Sequence, residues 1–467
     1  MRQLAGPPAT FVLPQAIAEE LQHVALNPLE TAGVLIGRLF ETPDGGIRLI
    51  ARKIVWVDRS SYLRRESDSL SIASDGYVHA LREAEDSGSA AVWLHTHPGP
   101  GSLPIPSSHD KLVDSQIADL FRLRSGSEYY GAIVVSPRSE GFTFTGYLES
   151  STGRIDRVER VWIVGDRLRL IHSFDRRRTG LSSAFDRNVR AFGGAVQETL
   201  GDLRVAIAGC GGTGSVVAEQ LVRLGVRRFT IIDSDVLSES NVTRVYGSYA
   251  SDVGRRKVEI LADHLNQIAP DAEIETVHGM VTRETIARRL LGADVIFGCT
   301  DDNAGRLVLS RVASYLMTPV IDSGVLVSSG EGGQLQGIDG RVTVLVPGQA
   351  CLICRGRIDL ARASSELLTP DERLRRVDEG YAPALARVEP AVVTFTTAVG
   401  AAAVSELLER LIGFGPNPRP TEVLLRFHDR EISTNVALPM SRHYCDPLSG
   451  KLGMGVTHPF LDQTWLA

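Results

Sequence analysis

Two histidines one residue apart close an apolar run in "AAVWLHTHPGPGSLPIPSSHD", residues 90–110, and Pro-Ser-x-x-Asp follows beyond a loop of Gly and Pro. Alternate side chains of an extended chain point to one side. If residues 91–95 form a strand that stays extended through Thr96, His95 and His97 present their imidazoles together, and Pro98 biases His97 toward extended backbone. Asp110, at the start of the helical pattern "HDKLVDSQIADLF", adds a carboxylate on an element that packing can hold still. Two nitrogens, one oxygen and an open fourth position make the ligand set of a hydrolytic zinc. Zinc supplies Lewis acidity, but peptide hydrolysis still needs a proton acceptor. Glu30, just ahead of the apolar stretch "AGVLIG", is the candidate base. Ser107 is the candidate donor to a developing oxyanion, a role worth about 2–4 kcal/mol. The competing reading is a pair of surface histidines at a strand end, and His109 reads as a spectator.

A second group of residues is suited to phosphate. "GCGGTG" follows the strand-like "RVAIA" and opens a helical pattern, so Gly209, Gly211, Gly212 and Gly214 form a turn whose backbone N–H groups can face an anion. Asp233, at the end of "FTIID", is placed to hold ribose hydroxyls, which leaves a nicotinamide dehydrogenase compatible. The succession of Asn241, Arg244, Lys257 and Asp302 points instead to carboxylate adenylation. There an anionic carboxylate meets the α-phosphate of ATP, so cations must offset repulsion and stabilise departing pyrophosphate. Arg244 and Lys257 suit that task, and Asp302 suits Mg²⁺, which typically takes one or two carboxylates beside phosphate oxygens. Each cation alone would read as a solvated surface charge.

The cysteines form a third group. Cys351 and Cys354 make a C-x-x-C pair in "PGQACLICRG", the knuckle of a structural zinc. "SRHYCDP" offers Cys445 as a third ligand and His443 as a fourth at irregular spacing; the alternative is a pair of buried thiols. Between Cys354 and Cys445 there is no cysteine, and "DEGYAPALARVEP" carries Tyr381 but no thiol. Cys210 and Cys299 read as packing or nucleotide neighbours.

The elements that must position these groups suggest an α/β protein of more than one domain, because 467 residues exceed one ordinary core. Residues 1–152 alternate short strand-like runs with helical patterns near 14–26 and 108–124, a small α+β domain. Residues 153–182 read as a strand pair turning at "VGDR" and a basic linker, and residues 183–467 repeat strand, turn and helix, implying a mainly parallel sheet. The charged segment "ELLTPDERLRRVDEGYAP" reads as a solvated helix or a loop. A net charge of −6 gives no basic excess for gripping nucleic acid. Five scattered cysteines suit a reducing compartment, and "MRQLAGPPATFVLPQ" does not read as a signal peptide. "AVVTFTTAVGAAAVSELLERL" is broken by polar residues and reads as a buried helix, so no membrane partner and a cytoplasmic location are expected.

Together "ETAGVLIG", "HTHP" and "PSSHD" resemble the JAMM (JAB/MPN) metalloprotease signature over about residues 10–150. The resemblance implies a cytidine-deaminase-like fold and cleavage after the C-terminal glycine of a ubiquitin-like protein. One departure is the nine-residue gap between His97 and Ser107, two more than usual. Residues 183–447 resemble the E1/ThiF/MoeB superfamily, whose Rossmann-like domain activates such a glycine as an acyl-adenylate. The resemblance implies that the Gly turn and Asp233 bind ATP and that Asn241, Arg244 and Lys257 contact phosphates. It also implies that Arg187 of "FDRNV" reaches into the site of a partner subunit, hence a homodimer. Many E1 enzymes carry an acceptor cysteine after the knuckle; this chain has none there, so direct transfer to another protein's sulfur is expected, an E2-like protein among the possible acceptors. The pairing is similar to bacterial ubiquitin-like conjugation systems, some with antiviral roles. The alternatives are activation and release of a β-grasp sulfur carrier, and a non-catalytic scaffold.

Overall fold

The computed structural model describes residues 8–99, 104–173, 182–329, 334–368, 371–372, 375 and 391–465. The chain divides into two compact units, Met1–Thr179 with Gly453–Val456, and Gly180–Leu452 with Thr457–Ala467.

The first unit is built on strands β1 (Ala9–Pro14), β2 (Ala32–Glu41), β3 (Ile47–Trp56), β6 (Ala90–Thr96), β7 (Tyr129–Arg138), β8 (Gly141–Ser150), β9 (Ile155–Val164) and β10 (Arg169–His172). They run in the order β1-β3-β2-β6-β7-β8-β9-β10, and β1 also pairs with β9, so seven strands close into a ring and β10 extends it. A two-stranded ribbon, β4 (Tyr62–Arg65) with β5 (Leu70–Ile72), stands apart. Strand β2 is buried without interruption over its first six positions because both sheet faces are covered there. Helix α1 (Gln15–Ala25) packs Ile17, Ala18 and Leu21 with Phe11, Leu49 and Ile163 on one face. Helices α2 (Asp75–Ser87) and α3 (Ser108–Ser125) cover the other, where Trp93, Phe121 and Tyr130 meet.

Two expectations change here. The strand pair expected within residues 153–182 does form, yet it is part of the first sheet: β9 buries Val158, Val161 and Ile163 and closes the ring between β8 and β1. Helix α2 was not anticipated. Only Ala80, Leu81 and Ala84 are buried in its charged sequence "DGYVHALREAEDS", too thin an apolar stripe to stand out, and left-handed Gly88 ends it.

The second unit opens with α4 (Asp186–Phe192) and α5 (Gly194–Asp202). Its sheet contains β11 (Arg204–Ala208), β12 (Arg228–Asp233), β13 (Glu273–His278), β14 (Val295–Gly298), β15 (Val320–Ser329), β16 (Leu335–Leu345), β17 (Glu422–Arg426) and β18 (Glu431–Asn435). The order is β13-β12-β11-β14-β15-β16-β17-β18. Pairings from β13 to β15 are parallel and those from β15 to β18 antiparallel, so the expected parallel sheet carries a three-strand antiparallel extension. The connections hold α6 (Gly212–Arg223), α7 (Glu239–Val242), α8 (Lys257–Ile268), α9 (Glu284–Ala287), α10 (Asn303–Tyr315) and α11 (Leu360–Glu366). Helix α12 (Val393–Ile412) is the expected buried helix; Gly400 lets it approach Val216 of α6, and Val399 fills the space above Gly340. Strands are added outward in opposite directions from β11, to β12 and β13 on one side and to β14 and β15 on the other, and the crevice beyond the carboxyl ends of β11 and β14 is where such sheets bind ligands. Among the described residues no helix is long and apolar enough to cross a membrane. Most of the charged segment after Glu366, Tyr381 included, lies outside the described residues.

Candidate active sites in the two units

In the first unit β6 is buried from Ala90 to Thr96, and the His97 N–H still donates to Val135 O at 2.9 Å, so extended pairing outlasts the strand end. His95 Nε2 and His97 Nε2 consequently lie 3.2 Å apart. Asp110 stands on the first turn of α3, its carboxylate 3.6 Å from His95 Nε2 and 3.7 Å from His97 Nε2. Ligands at the usual zinc distances around a tetrahedron are separated by about 3.3 Å, so the three atoms fit one ion. The long loop before Ser107 does not prevent this convergence. Burial works to raise the Asp110 carboxyl, but hydrogen bonding from both imidazoles and the Ser107 N–H holds it well below the usual carboxylate range. Glu30 is buried with Oε1 3.7 Å from His97 Nε2; burial pushes its carboxyl up against the pull of the two histidines. Its backbone is fixed from both sides, the N–H donating to Glu66 O and the carbonyl accepting from Arg65 Nε.

Ser107 also has a structural use, which the Ser-x-x-Asp spacing ahead of a helix signals. It is the N-cap of α3: its Oγ accepts from the Asp110 N–H at 3.1 Å, and Asp110 Oδ2 accepts from the Ser107 N–H at 2.7 Å. This reciprocal cap aims Asp110 at the histidines. The sequence reading also passed over Asp114, one turn further along α3, whose buried carboxylate accepts from Tyr130 at 2.7 Å and Tyr147 at 2.9 Å.

In the second unit a cavity of about 280 Å³ opens at the carboxyl ends of the parallel strands. Gly209, Gly211, Gly212, Asp233, Arg244, Lys257 and Asp302 line it. Gly209 has φ +97°, and a side chain there would strike Cys299 O on the neighbouring strand connection. A side chain at Gly211, by contrast, would enter open space, so this position keeps the cavity clear for a ligand at the start of α6. The Asp233 carboxylate is fixed by the N–H groups of Cys210 at 2.6 Å and Asp235 at 2.7 Å, and burial pushes it up against the pull of Lys257. Lys257 Nζ pairs with Asp235 Oδ2 at 2.7 Å. Arg244 is steadied by Ser240 O at 2.8 Å.

Asn241 and Arg187 lie off this cavity, and Asp302, which lines it, also caps a helix. Asn241 is buried and closes the cap of α7 through the Ser238 N–H, so it shapes the turn that carries Arg244 and does not line the cavity. Arg187 is exposed on α4 and does not line the cavity of its own chain. Asp302 caps α10 through the Gly305 N–H, and burial pushes its carboxyl up. Residues that the sequence reading missed are Asp235, two positions beyond Asp233 in "DSD", together with Arg306 and Thr396 in the cavity wall. Only the first had a local signal.

Cys351, Cys354, Cys445 and His443 form a compact cluster. Cys354 Sγ lies 3.5 Å from Cys445 Sγ and 3.8 Å from Cys351 Sγ, and His443 Nδ1 lies 3.3–3.6 Å from all three sulfurs. A Cys₃His tetrahedron around zinc has ligand separations of about 3.5–3.8 Å, so the group could bind a structural zinc with His443 as fourth ligand. Beside it, Glu422 is buried under Arg357, at 2.8 and 3.0 Å, and joins through Thr343 to Arg341 and Asp322.

A family model described as the ThiF family matches residues 185–446, and the chain belongs to that family. Its sequence is 30% identical to the molybdopterin-synthase adenylyltransferase of Escherichia coli over 36% of this chain and 65% of that protein. It is 28% identical to the SAMP-activating enzyme E1 of Haloferax volcanii over 32% of this chain and 52% of that one. It is 32% identical to the sulfur carrier protein ThiS adenylyltransferase of Escherichia coli over 30% and 54%. The chain thus spans about half to two-thirds of the length of these relatives. Among solved structures, that of Escherichia coli MccB is similar over 57% of this chain and 75% of its own, at 17% identity and a TM-score of 0.44.

Proposed function

We propose that the second unit adenylates the C-terminal glycine of a ubiquitin-like or sulfur-carrier protein. The observation that carries this reading is the convergence of the Gly turn, the enclosed Lys257 and the acidic N-cap Asp302 on one cavity. A carboxylate oxygen of the tail attacks the α-phosphorus of ATP, the bond from α-phosphorus to the bridging oxygen breaks, and pyrophosphate leaves with that electron pair. Lys257 and Arg244 offset the charge of the phosphates, and Asp233 holds the ribose. Asp302 would hold Mg²⁺, which supplies further charge neutralisation. Asn241 acts by fixing the turn of Arg244. Arg187, exposed and off the cavity of its own chain, is free to serve the site of a second copy.

The acyl group passes to a sulfur outside this chain. Burial pushes the Cys299 thiol up to about 12 and raises the Cys210 thiol well above its ordinary value, so neither is a thiolate at neutral pH. The other three cysteines belong to the metal-ligand cluster. A separate acceptor follows, an E2-like protein or, in the sulfur-carrier reading that the likeness to a ThiS adenylyltransferase favours, a sulfur donor.

For the first unit we propose a JAMM-type zinc peptidase that cuts after such a glycine. His95, His97 and Asp110 would hold the zinc, which supplies Lewis acidity when bound. Glu30 accepts the proton of the attacking water and delivers it to the leaving amine, a role suited to a carboxyl raised by burial. Ser107 still has its hydroxyl proton to donate while its oxygen caps α3.

One experiment tests both halves. The chain is mixed with ATP, Mg²⁺ and a small glycine-tailed β-grasp protein, bearing either its free tail or a C-terminal extension, and intact masses are read without reductant. An AMP adduct on the free tail and removal of the extension are expected. No adduct and no pyrophosphate exchange would refute the first half; an uncut extension would refute the second.

A further inference from the structure

The phosphate-facing cations Arg244 and Lys257 stand on the β12 side of the cavity, but the incoming tail is itself an anion and needs its own recognition. Ile232, Ala208, Gly298 and Asp322 form one row across the sheet, so Asp322 is three strand spacings, about 14 Å, from the ribose-side strand. At this far end lies Arg306, on the second turn of α10, lining the cavity with its side chain 17% exposed. Asp322 is wholly buried. Its Oδ2 accepts from Arg341 Nη2 at 2.6 Å, and Arg341 also donates to Thr343. Arg306 approaches the same carboxylate only to 3.6 Å; among the described residues its buried Nε has no hydrogen-bond partner, and neither has Asp322 Oδ1. A guanidinium offers five donors in a planar fork that matches a carboxylate, and this one stands beside a buried carboxylate with donor capacity unused.

The strand beside it leaves room. Ser323, Gly324 and Val325 all line the cavity, and a methyl group on Gly324 would stand 3.0 Å from Arg306 Nη2. Glycine there leaves the edge of the fork open to a ligand that also lacks a side chain.

We propose that Arg306 binds the terminal carboxylate of the glycine tail and delivers it, over Gly324, to the α-phosphate. For its chemical step this inference rests on the adenylation reading above. Arg306 orients one carboxylate oxygen while the other attacks; no proton moves, and charge passes to the departing pyrophosphate.

The test is a binding measurement on the full chain with α,β-methylene ATP and Mg²⁺. The probes are a fluorescent peptide ending in Gly-Gly with a free carboxylate, and the same peptide as its C-terminal amide. The wild type is expected to prefer the acid by about tenfold or more, the size of a charge-assisted hydrogen-bond pair. Arg306→Gln removes that preference while leaving affinity for the nucleotide analogue within about threefold, and Arg306→Lys keeps part of it. Gly324→Ala, which keeps Arg306, Arg341 and Asp322 but sets a methyl group against Arg306 Nη2, weakens the acid peptide in the same sense and guards against a folding defect in the Gln variant. The proposal is overturned if the preference survives Arg306→Gln, or if the wild type shows none at millimolar peptide. It is also overturned if nucleotide affinity falls together with the preference, which would put Arg306 on the phosphates. An intact preference without pyrophosphate exchange would sink the adenylation reading alone.

Discussion

Lys257 Nζ sits 2.7 Å from Asp235 Oδ2, the lysine side chain 10% exposed and the aspartate 62%. The cation is therefore enclosed within the cavity wall, with a partner that solvent can readily hydrate. Phosphates entering the cavity compete with Asp235 for it. Lys257→Ala is expected to reduce ATP–pyrophosphate exchange by about 10²–10³-fold, as loss of a charge-stabilising group in an enclosed site does. Asp235→Asn is expected to tighten binding of α,β-methylene ATP by about threefold, since it removes the competitor and not the cation. Titration calorimetry reads the second effect, and weaker binding in Asp235→Asn would reverse the assigned role.

The Cys₃His cluster predicts one tightly held zinc independent of the histidine site. Cys445→Ser or His443→Ala should lower zinc content by one equivalent per chain. It should also depress the Tm of the second unit by about 10 °C, because the ion is part of its folding free energy. Zinc content equal to that of the wild type would remove the residue from the ligand set.

Glu30 and His97 should separate chemistry from metal binding. On the proposed peptidase reading, Glu30→Gln is expected to leave zinc binding at the histidine site intact and to slow removal of a tail extension by about 10²–10⁴-fold, the range for loss of a general base. His97→Ala loses the metal itself and leaves the cysteine-bound zinc in place. Hydrolysis unchanged in Glu30→Gln would leave the peptidase without its base.

Glu422 predicts how the second unit responds to acid. Burial works to raise its carboxyl, but Arg357, Asn435 and Arg341 hold it below its ordinary value of 4.5. A carboxyl lowered by folding contributes stability that is fully present above that ordinary value and is lost as pH falls through the folded one. The Tm difference between wild type and Glu422→Gln should therefore be largest near neutrality and shrink below about pH 4. A difference independent of pH would mean that shape, and not charge, accounts for the effect.

Local spacing carried much of the two candidate sites. A two-residue period set His95 and His97 on one side, because an extended strand leaves no other geometry, and a helix start brought Asp110 to meet them. The Gly turn was legible because few residues other than glycine tolerate the backbone of Gly209. Less legible were residues whose job depends on what folds beside them. Ser107 and Asn241, expected as ligand contacts, also close helix caps, a use that the same side chains serve equally well. Helix α2 was missed because its apolar stripe is only three residues deep.

The amino-acid sequence by itself determined two groups of candidate residues, since ligand type, turn geometry and cation content are properties of residues a few positions apart. Tertiary structure decided which distant residues complete them. His443 reaches Cys351 across 92 positions, β9 closes on β1 from the other end of the first unit's sequence, and Arg306 on α10 comes to lie beside Asp322 on β15. These meetings depend on how strands register and which faces are buried, and no local periodicity encodes them.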